Sequence, residues 1–394
     1  MRDDESIGMR VATERKLRGL TQHQLADRAH VSLSLLRAVE QGSRGATSTL
    51  VGAVAKALQV DRTVLTGQPY RGTGPEEDEP HAGIAAIRRE VAAHGLPPQE
   101  ERTVGTDLAA RVAEASRLRQ ASRYTALGRV LPDLLADLRY ASFSDPDREL
   151  IMRLLAQAYD DGRAFARKLG YPDLMHDLGT LYRAAAAESG DPLAVEVGER
   201  LRAQSLTCTG EYGLAAYVTD RSIDRLTGLP PTPEQKSVYG FMHLEAALAA
   251  AHRGDHASAQ EHHTEAEAVA QQLGGDRDDY RLAFGPTNVG IWGVALAVEA
   301  MDGAAAVARA RSVTLSADTP AERAGHHWID VARAHLLVDD TAASLSALWR
   351  ARRVAPEHTR AHPMARETVY ALARRERRAS DTLRGLATWI GIQD

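Results

Sequence analysis

Residues 15–45 run RKLRGLTQHQLADRAHVSLSLLRAVEQGSRG. The stretch reads as two short helices joined by a tight turn. Thr21 suits an N-cap, its hydroxyl free to take a backbone N–H of the first turn, and Leu25 and Ala26 point inward from the helix that follows. A break at His30–Val31 separates this helix from a second one, capped by Ser32, with Leu36 and Val39 on one face. The second helix closes at Glu40–Gln41–Gly42, where Gly42 fits the left-handed position just past a helix end. This is helix-turn-helix spacing, the arrangement that offers its second helix to a DNA major groove.

The same pattern extends to both sides. Val11, Arg15 and Leu17–Arg18 belong to a preceding helix. Leu50, Val54 and Leu58 recur every four residues and make one apolar stripe, and Val60 with Val64–Leu65 closes a five-helix domain. In its motif the segment resembles the phage-repressor-like XRE family, whose pattern TQxxLAxxxxVSxSxLxxxExG is matched from Thr21 to Gly42. The resemblance implies a DNA-binding domain over residues 1–67. It places the base-reading positions on Leu33, Ser34, Arg37 and Ala38, of which Ser34 and Arg37 can hydrogen-bond and Leu33 can meet a thymine methyl. It also makes Gln22, Ser32 and Arg44 DNA contacts, with Gln22 and Arg44 on the phosphates. The family usually carries Gly at the turn, where this chain has His30, so a positive φ at some cost is expected there.

At 394 residues the chain is too long for one small domain. Its net charge of −5 is unevenly spread. Residues 1–66 hold ten Lys and Arg against seven Asp and Glu, a net of +3 that leaves −8 on the remainder. A mildly basic head on an acidic body fits one DNA-binding end. So small a basic excess predicts weak, salt-sensitive binding by one copy and favours a homodimer on two half-sites, its contact expected near Leu372–Leu386. The single Cys208 excludes a disulfide framework within the chain and suits a reducing cytoplasm. No apolar run approaches the ~20 residues that span a bilayer, and the acidic start MRDDES is no signal peptide.

Residues 68–80 combine Gly, Pro and four acids and read as a solvated linker. Residues 81–394 read as helical throughout. Breaks with similar surroundings recur in ESGDPLAVEVGERL (188–201), HRGDHASAQEHHTEAEAVA (252–270), AMDGAAAVARARSV (300–313) and VDDTAASLSALWRARRVAPE (338–357). Each has a turn of Gly or Asp followed by an Ala-rich helix, which lets neighbours pack closely. Of the spacings 64 (Gly190 to Gly254), 48 (to Asp302) and 37 (to Asp339), the last is near the tetratricopeptide period and the first near its double. The fold class expected is therefore all-α: a five-helix head followed by a tetratricopeptide-like superhelix, with an irregular helical bundle as the alternative.

The first helix of each pair should line the inner wall. The segment FGPTNVGIWG (284–293) stands out there: Thr287 reads as an N-cap, and Gly290 and Gly293 share one helix face beside Trp292. Those glycines imply either space for a ligand or a tight helix contact. The segment is similar to one found in XRE–tetratricopeptide regulators. Repeat offsets of 47 and 38 residues put Phe241, Glu245, Asn288, Trp292 and His326 level on adjacent helices, as candidate effector-binding residues. Such a wall resembles the RRNPP peptide-sensing regulators, although no Asn series recurs at repeat spacing here, so the implied effector is a peptide or another small molecule.

Other chemistry is not expected. His256, His262, His263 and Glu267 cluster without HExxH or CxxC support and read as solvated. No phosphate loop or Ser/His/Asp set appears, no cofactor is expected, and an enzyme is the least supported reading. The basic run at Arg374, Arg375, Arg377 and Arg378 reads as a solvated or dimer-edge face. The expected function is a transcription regulator that binds an operator duplex and responds to an effector. The alternative is an adaptor whose repeats grip a protein.

Overall fold

In the computed structural model, which describes residues 6–71, 78–97, 107–375 and 380–392, the head forms as its caps dictate. Helices α1 (Ile7–Leu17), α2 (Gln22–Ala29), α3 (Leu33–Glu40), α4 (Ser48–Leu58) and α5 (Arg62–Thr66) are each opened by an oxygen-bearing side chain. These are Ser6, Thr21, Ser32, Thr47 and Asp61, and each accepts a first-turn N–H. Thr21 makes a full capping box with Gln24. His30 adopts the left-handed conformation expected of it, with φ 53°. Gly42 likewise takes φ 72°. Ile7, Val11, Leu25, Leu36, Val39, Leu50, Val54, Leu58 and Leu65 are all buried.

The body is helical as well: α6 (Ile84–Ala92), α7 (Leu108–Gln120), α8 (Tyr124–Ser144), α9 (Arg148–Leu169), α10 (Pro172–Glu188), α11 (Pro192–Cys208) and α12 (Tyr212–Thr227) lead into the repeats. They are followed by α13 (Pro233–His252), α14 (His256–Leu273), α15 (Pro286–Glu299), α16 (Gly303–Ser312), α17 (Ala321–Leu337) and α18 (Thr341–Val354). The chain ends in α19 (Pro356–Ala361), α20 (Pro363–Arg375) and α21 (Asp381–Ile390). Among the described residues there is no strand, only an isolated bridge between Arg277 and Phe284. None of the helices is long and apolar enough to cross a membrane.

The four recurring breaks are all turns of one kind. A left-handed residue (Gly190, Gly254, Met301 or Asp339) is followed by an Asp (191, 255, 302 or 340) whose carboxylate caps the next helix. One correction follows. The packed pairs are α9–α10, α11–α12, α13–α14, α15–α16 and α17–α18. The Gly190 turn therefore joins two pairs, whereas the other three lie within pairs. The same local solution closes both kinds of corner, so the turn alone does not reveal the pair register.

The head is not tethered at a distance. Its core is continuous with Ile329, Leu336, Leu348, Met364, Val369, Leu372, Leu383, Leu386 and Ile390 of the last helices. Leu372, Leu383 and Leu386, expected at a dimer contact, are thus buried within their own chain. Of the linker, residues 72–77 lie outside the described residues, and with them much of the acidic run. The part before them is not solvated: Gln68 donates to Ala361 O at 3.1 Å, and Tyr70 lies under the Arg366 guanidinium at 4.3 Å.

Candidate functional site

The outer face of α3 is open to solvent and its inner face is core. Ser34 and Arg37 are exposed and Leu33 is half-buried, while Leu36 and Val39 anchor the opposite face in the core. Ser32 Oγ accepts the Leu35 N–H and lies 3.2 Å from Ser34 Oγ, which fixes the first turn of the helix. Arg44, also exposed, follows the helix end. Gln22 Nε2 donates to Glu40 Oε2 at 2.7 Å. Glu40 also receives Arg15 Nε and Nη2 at 2.7 and 2.8 Å, a fork that ties α1 to α3. Burial alone would raise the Glu40 carboxyl, but hydrogen bonds from Arg15 and Gln22 outweigh it and hold the group below its ordinary value. Glu40 is the head's missed residue: in the sequence it is only the E of the motif, and nothing there pairs it with Arg15.

Two buried carboxylates of the body clamp the inner side of the head. Glu299, at the end of α15, accepts Thr49 N–H at 3.0 Å and Thr49 Oγ1 at 2.8 Å, at the start of α4. Burial opposes its charge, but Arg333 and His252 beside it and the Thr49 N–H hold its carboxyl down at about 2. Glu367 of α20 accepts the Ile7 N–H at 3.1 Å. Arg374 donates to Gly42 O at 2.8 Å and pins the end of α3. The basic run is thus partly an intramolecular strut, since Arg375 also pairs with Asp339 at 3.2 Å. Arg377 and Arg378 lie outside the described residues.

Between clamp and wall lies a cavity of about 1000 Å³, bounded by α4 and α5 on the head side and by α9, the start of α10, α11, α13, α15, α17, α19 and the start of α20 on the body side. The first members α11, α13, α15 and α17 of four pairs face it, but the start of α10, a second member, lines it as well. A polar relay runs from the head along this wall. Arg333 donates to Glu299 at 2.7 Å and to Asp330 at 2.8 Å, and Asp330 Oδ2 lies 3.5 Å from His326 Nε2.

The five expected effector residues lie on adjacent helices α13, α15 and α17, but they do not converge on one cavity. Phe241 and Trp292 pack edge-to-face with centroids 5.8 Å apart. Glu245 is buried and held by Arg200 at 3.2 Å. Asn288 lines a separate cavity of about 430 Å³ together with Gln120, Asp276, Asp318 and Arg323. Its Nδ2 donates to Leu282 O at 3.5 Å, and its buried Oδ1 has no partner. His326 alone of the five borders the larger cavity.

Two local readings change. Gly285 is the N-cap of α15 and Pro286 its first residue, because proline needs no N–H partner there; Thr287 lies inside the helix and donates its N–H to Asp276. A Cβ on Gly293 would stand 2.9 Å from His263 Nε2, so this glycine makes room for a neighbouring side chain. His263 is correspondingly buried, with Nε2 3.0 Å from Val289 O, and is not the solvated residue expected. Elsewhere the fold gathers three imidazoles that the sequence separates: His326, His358 and His362, with one ring nitrogen each within 4.8 Å of the others.

Comparison with known proteins bears on the head. No curated protein matches the sequence of the chain. Among solved structures, the chain is similar to BtubC (BKLC) from P. vanneervenii, at TM-score 0.38 and 16% identity, over 64% of this chain and 92% of that one. It is also similar to Bacillus thuringiensis PlcR, solved in complex with the peptide PapR7 and DNA, at TM-score 0.30 and 12% identity, over 68% of this chain and 96% of that one. The family model described as "Helix-turn-helix" matches residues 11–65, the span from α1 to α5. The N-terminal domain of this chain is therefore a helix-turn-helix domain of the XRE type, carried on a body of helical repeats.

Proposed function

We propose that the chain is a sequence-specific DNA-binding transcription regulator whose helical body takes a small effector, a peptide or another small molecule, and thereby modulates operator binding. The observation that carries the DNA-binding part is the face of α3. Ser34 and Arg37 stand exposed on a helix capped by Ser32 and braced from behind by the Arg15–Glu40 fork. The experiment is selection from random duplexes followed by gel shift over a range of salt. A recovered consensus with steeply salt-dependent affinity supports the reading, and equal retention of all duplexes overturns it.

The effector part rests on the head–body cavity, whose size suits a small ligand and whose wall connects to the head through Glu299, Arg333 and Asp330. A ligand that favours one head position shifts the population of heads able to engage an operator. Leu248→Trp fills this cavity from α13. The expected outcome is unchanged operator affinity and loss of response to the active fraction of a cell extract. Asn288→Ala tests the smaller cavity in the same assay, and a response lost only in that variant moves the effector there. A homodimer remains part of the proposal, since two modestly basic heads add their affinities on paired half-sites. Light scattering with and without operator DNA reads the stoichiometry, and a monomer on DNA removes that part.

A further inference from the structure

We propose that His326, His358 and His362 form a binding site for a divalent transition metal of the zinc class, on the body side of the cavity beneath the head. The inference goes beyond the regulatory reading, and its test needs no operator DNA. One ring comes from α17, one from α19 and one from the corner before α20, so a single ion would join three elements. Their centroids lie 6.0 Å (His326–His358), 5.2 Å (His326–His362) and 5.3 Å (His358–His362) apart, and one ring nitrogen from each lies within 4.8 Å of the other two. Tetrahedral zinc with Zn–N near ~2.0–2.1 Å requires these nitrogens to close by roughly 1 Å, which side-chain rotation supplies.

The polar accounting favours an ion. His326 Nδ1 and His358 Nε2 are buried without any partner, and orphaned buried acceptors of this kind are rare in native structures. One cation satisfies both. Two of the three rings are also aimed by their other nitrogen. His358 Nδ1 is 3.0 Å from the Tyr124 hydroxyl, and His326 Nε2 is 3.5 Å from Asp330 Oδ2, a carboxylate oxygen with no hydrogen-bond partner of its own. A carboxylate or hydroxyl behind a ligating imidazole is the usual outer support of a metal-bound histidine. His362 Nδ1 accepts the Met364 N–H at 3.2 Å, a long hydrogen bond that metal binding gives up. Burial, the largest cause, and nearby positive charge lower all three imidazoles from their ordinary value. Lys168 stands close, but it is paired with Glu322 at 2.6 Å, and burial lowers its ammonium to about 7. Three imidazole nitrogens select zinc, nickel, cobalt or copper over magnesium or calcium, and a fourth position would face the cavity.

The test is equilibrium dialysis of the full chain, freed of metal by chelation, against Zn²⁺, with Co²⁺ as a spectroscopic probe. One equivalent per chain and the intense visible bands of four-coordinate Co²⁺ are expected. His358→Gln and His362→Gln should each weaken binding roughly 100-fold or more, with unchanged far-ultraviolet circular dichroism as the check on folding. Tyr124→Phe and Asp330→Asn, which leave all three ligands in place, should weaken it roughly 10–100-fold. His262→Gln, in the separate His243–His262 pair, should leave it unchanged. Absence of a bound equivalent, or binding that survives both His358→Gln and His362→Gln, overturns the proposal. Should His358→Gln fail to fold, Tyr124→Phe and Asp330→Asn decide it through the cobalt spectrum.

Discussion

Arg37 and Ser34 carry the specificity argument at the scale of single residues. Arg37 is exposed on the outer face of α3 and reaches no acceptor among the described residues, so in the proposed reading it is the side chain that meets a guanine edge. Arg37→Ala should weaken operator binding by ~1–3 kcal/mol and flatten preference at one base pair, measured by gel shift against a panel of single-base variants. Arg44→Ala should instead weaken binding to all duplexes alike and lower the salt slope by about one. A different loss follows Glu40→Ala. Arg15 and Gln22 then lose their shared acceptor in a half-dry pocket, and stability should fall by about 1–3 kcal/mol in urea unfolding. Such a variant loses DNA binding through the fold of the head, whereas Arg37→Ala keeps its melting temperature.

At the scale of elements, the body repeats one corner with different residues. Met301 and Asp339 take the left-handed conformation that Gly190 and Gly254 adopt more readily, and the following Asp satisfies the next helix in every case. Asp302→Ala leaves Ala305 N–H without its acceptor and should lower stability by roughly 1 kcal/mol, read as a lower thermal midpoint. Contact between α14 and α15 depends on Gly293. An added Cβ there would push His263 from Val289 O, so Gly293→Ala should destabilise by ~1–3 kcal/mol. If Gly293→Ala is neutral, the glycine is not there for packing, and the space beside Trp292 regains interest as a ligand site. Trp292 packs on Phe241 while remaining partly exposed, so its loss should be felt mainly as lost stability.

Across the whole molecule, head and body are joined by one core and by buried charge. Glu299 is held near 2 in the folded chain against about 4.5 for an ordinary glutamate. A carboxyl depressed in the folded state adds stability that is fully present above its unfolded value and disappears as pH falls through the folded one. Wild type should therefore exceed Glu299→Gln by on the order of 3 kcal/mol at neutral pH, the scale expected when a buried ion pair loses one partner. The gap should narrow only between about 4.5 and about 2. Urea titrations of both proteins through that window check the sign. A gap that widens as pH falls would mean that Glu299 is not the ionised member of the clamp. Because Glu299 holds Thr49 of the head, hydrogen exchange at the start of α4 should rise in the variant before the rest of the head loosens.

What this sequence determined by itself is local. Thr21, Ser32 and the Asp residues before the Ala-rich helices state where helices begin, because a capping oxygen and its N–H lie within three residues of one another. The stripe Leu50–Val54–Leu58 states which face is buried, because helical periodicity repeats within a turn. The exposed side of α3, with Ser34 and Arg37, was legible for the same reason. Counting repeat offsets correctly placed Phe241, Glu245, Asn288, Trp292 and His326 on adjacent helices, but an offset sets the level along a helix and not the side on which each chain emerges. Asn288 and His326 therefore border different cavities. Only the tertiary structure joined Glu299 to Thr49, Glu367 to Ile7 and Tyr124 to His358. These pairs are separated by hundreds of residues, have no periodicity to betray them, and are selected by the geometry of the closed wall.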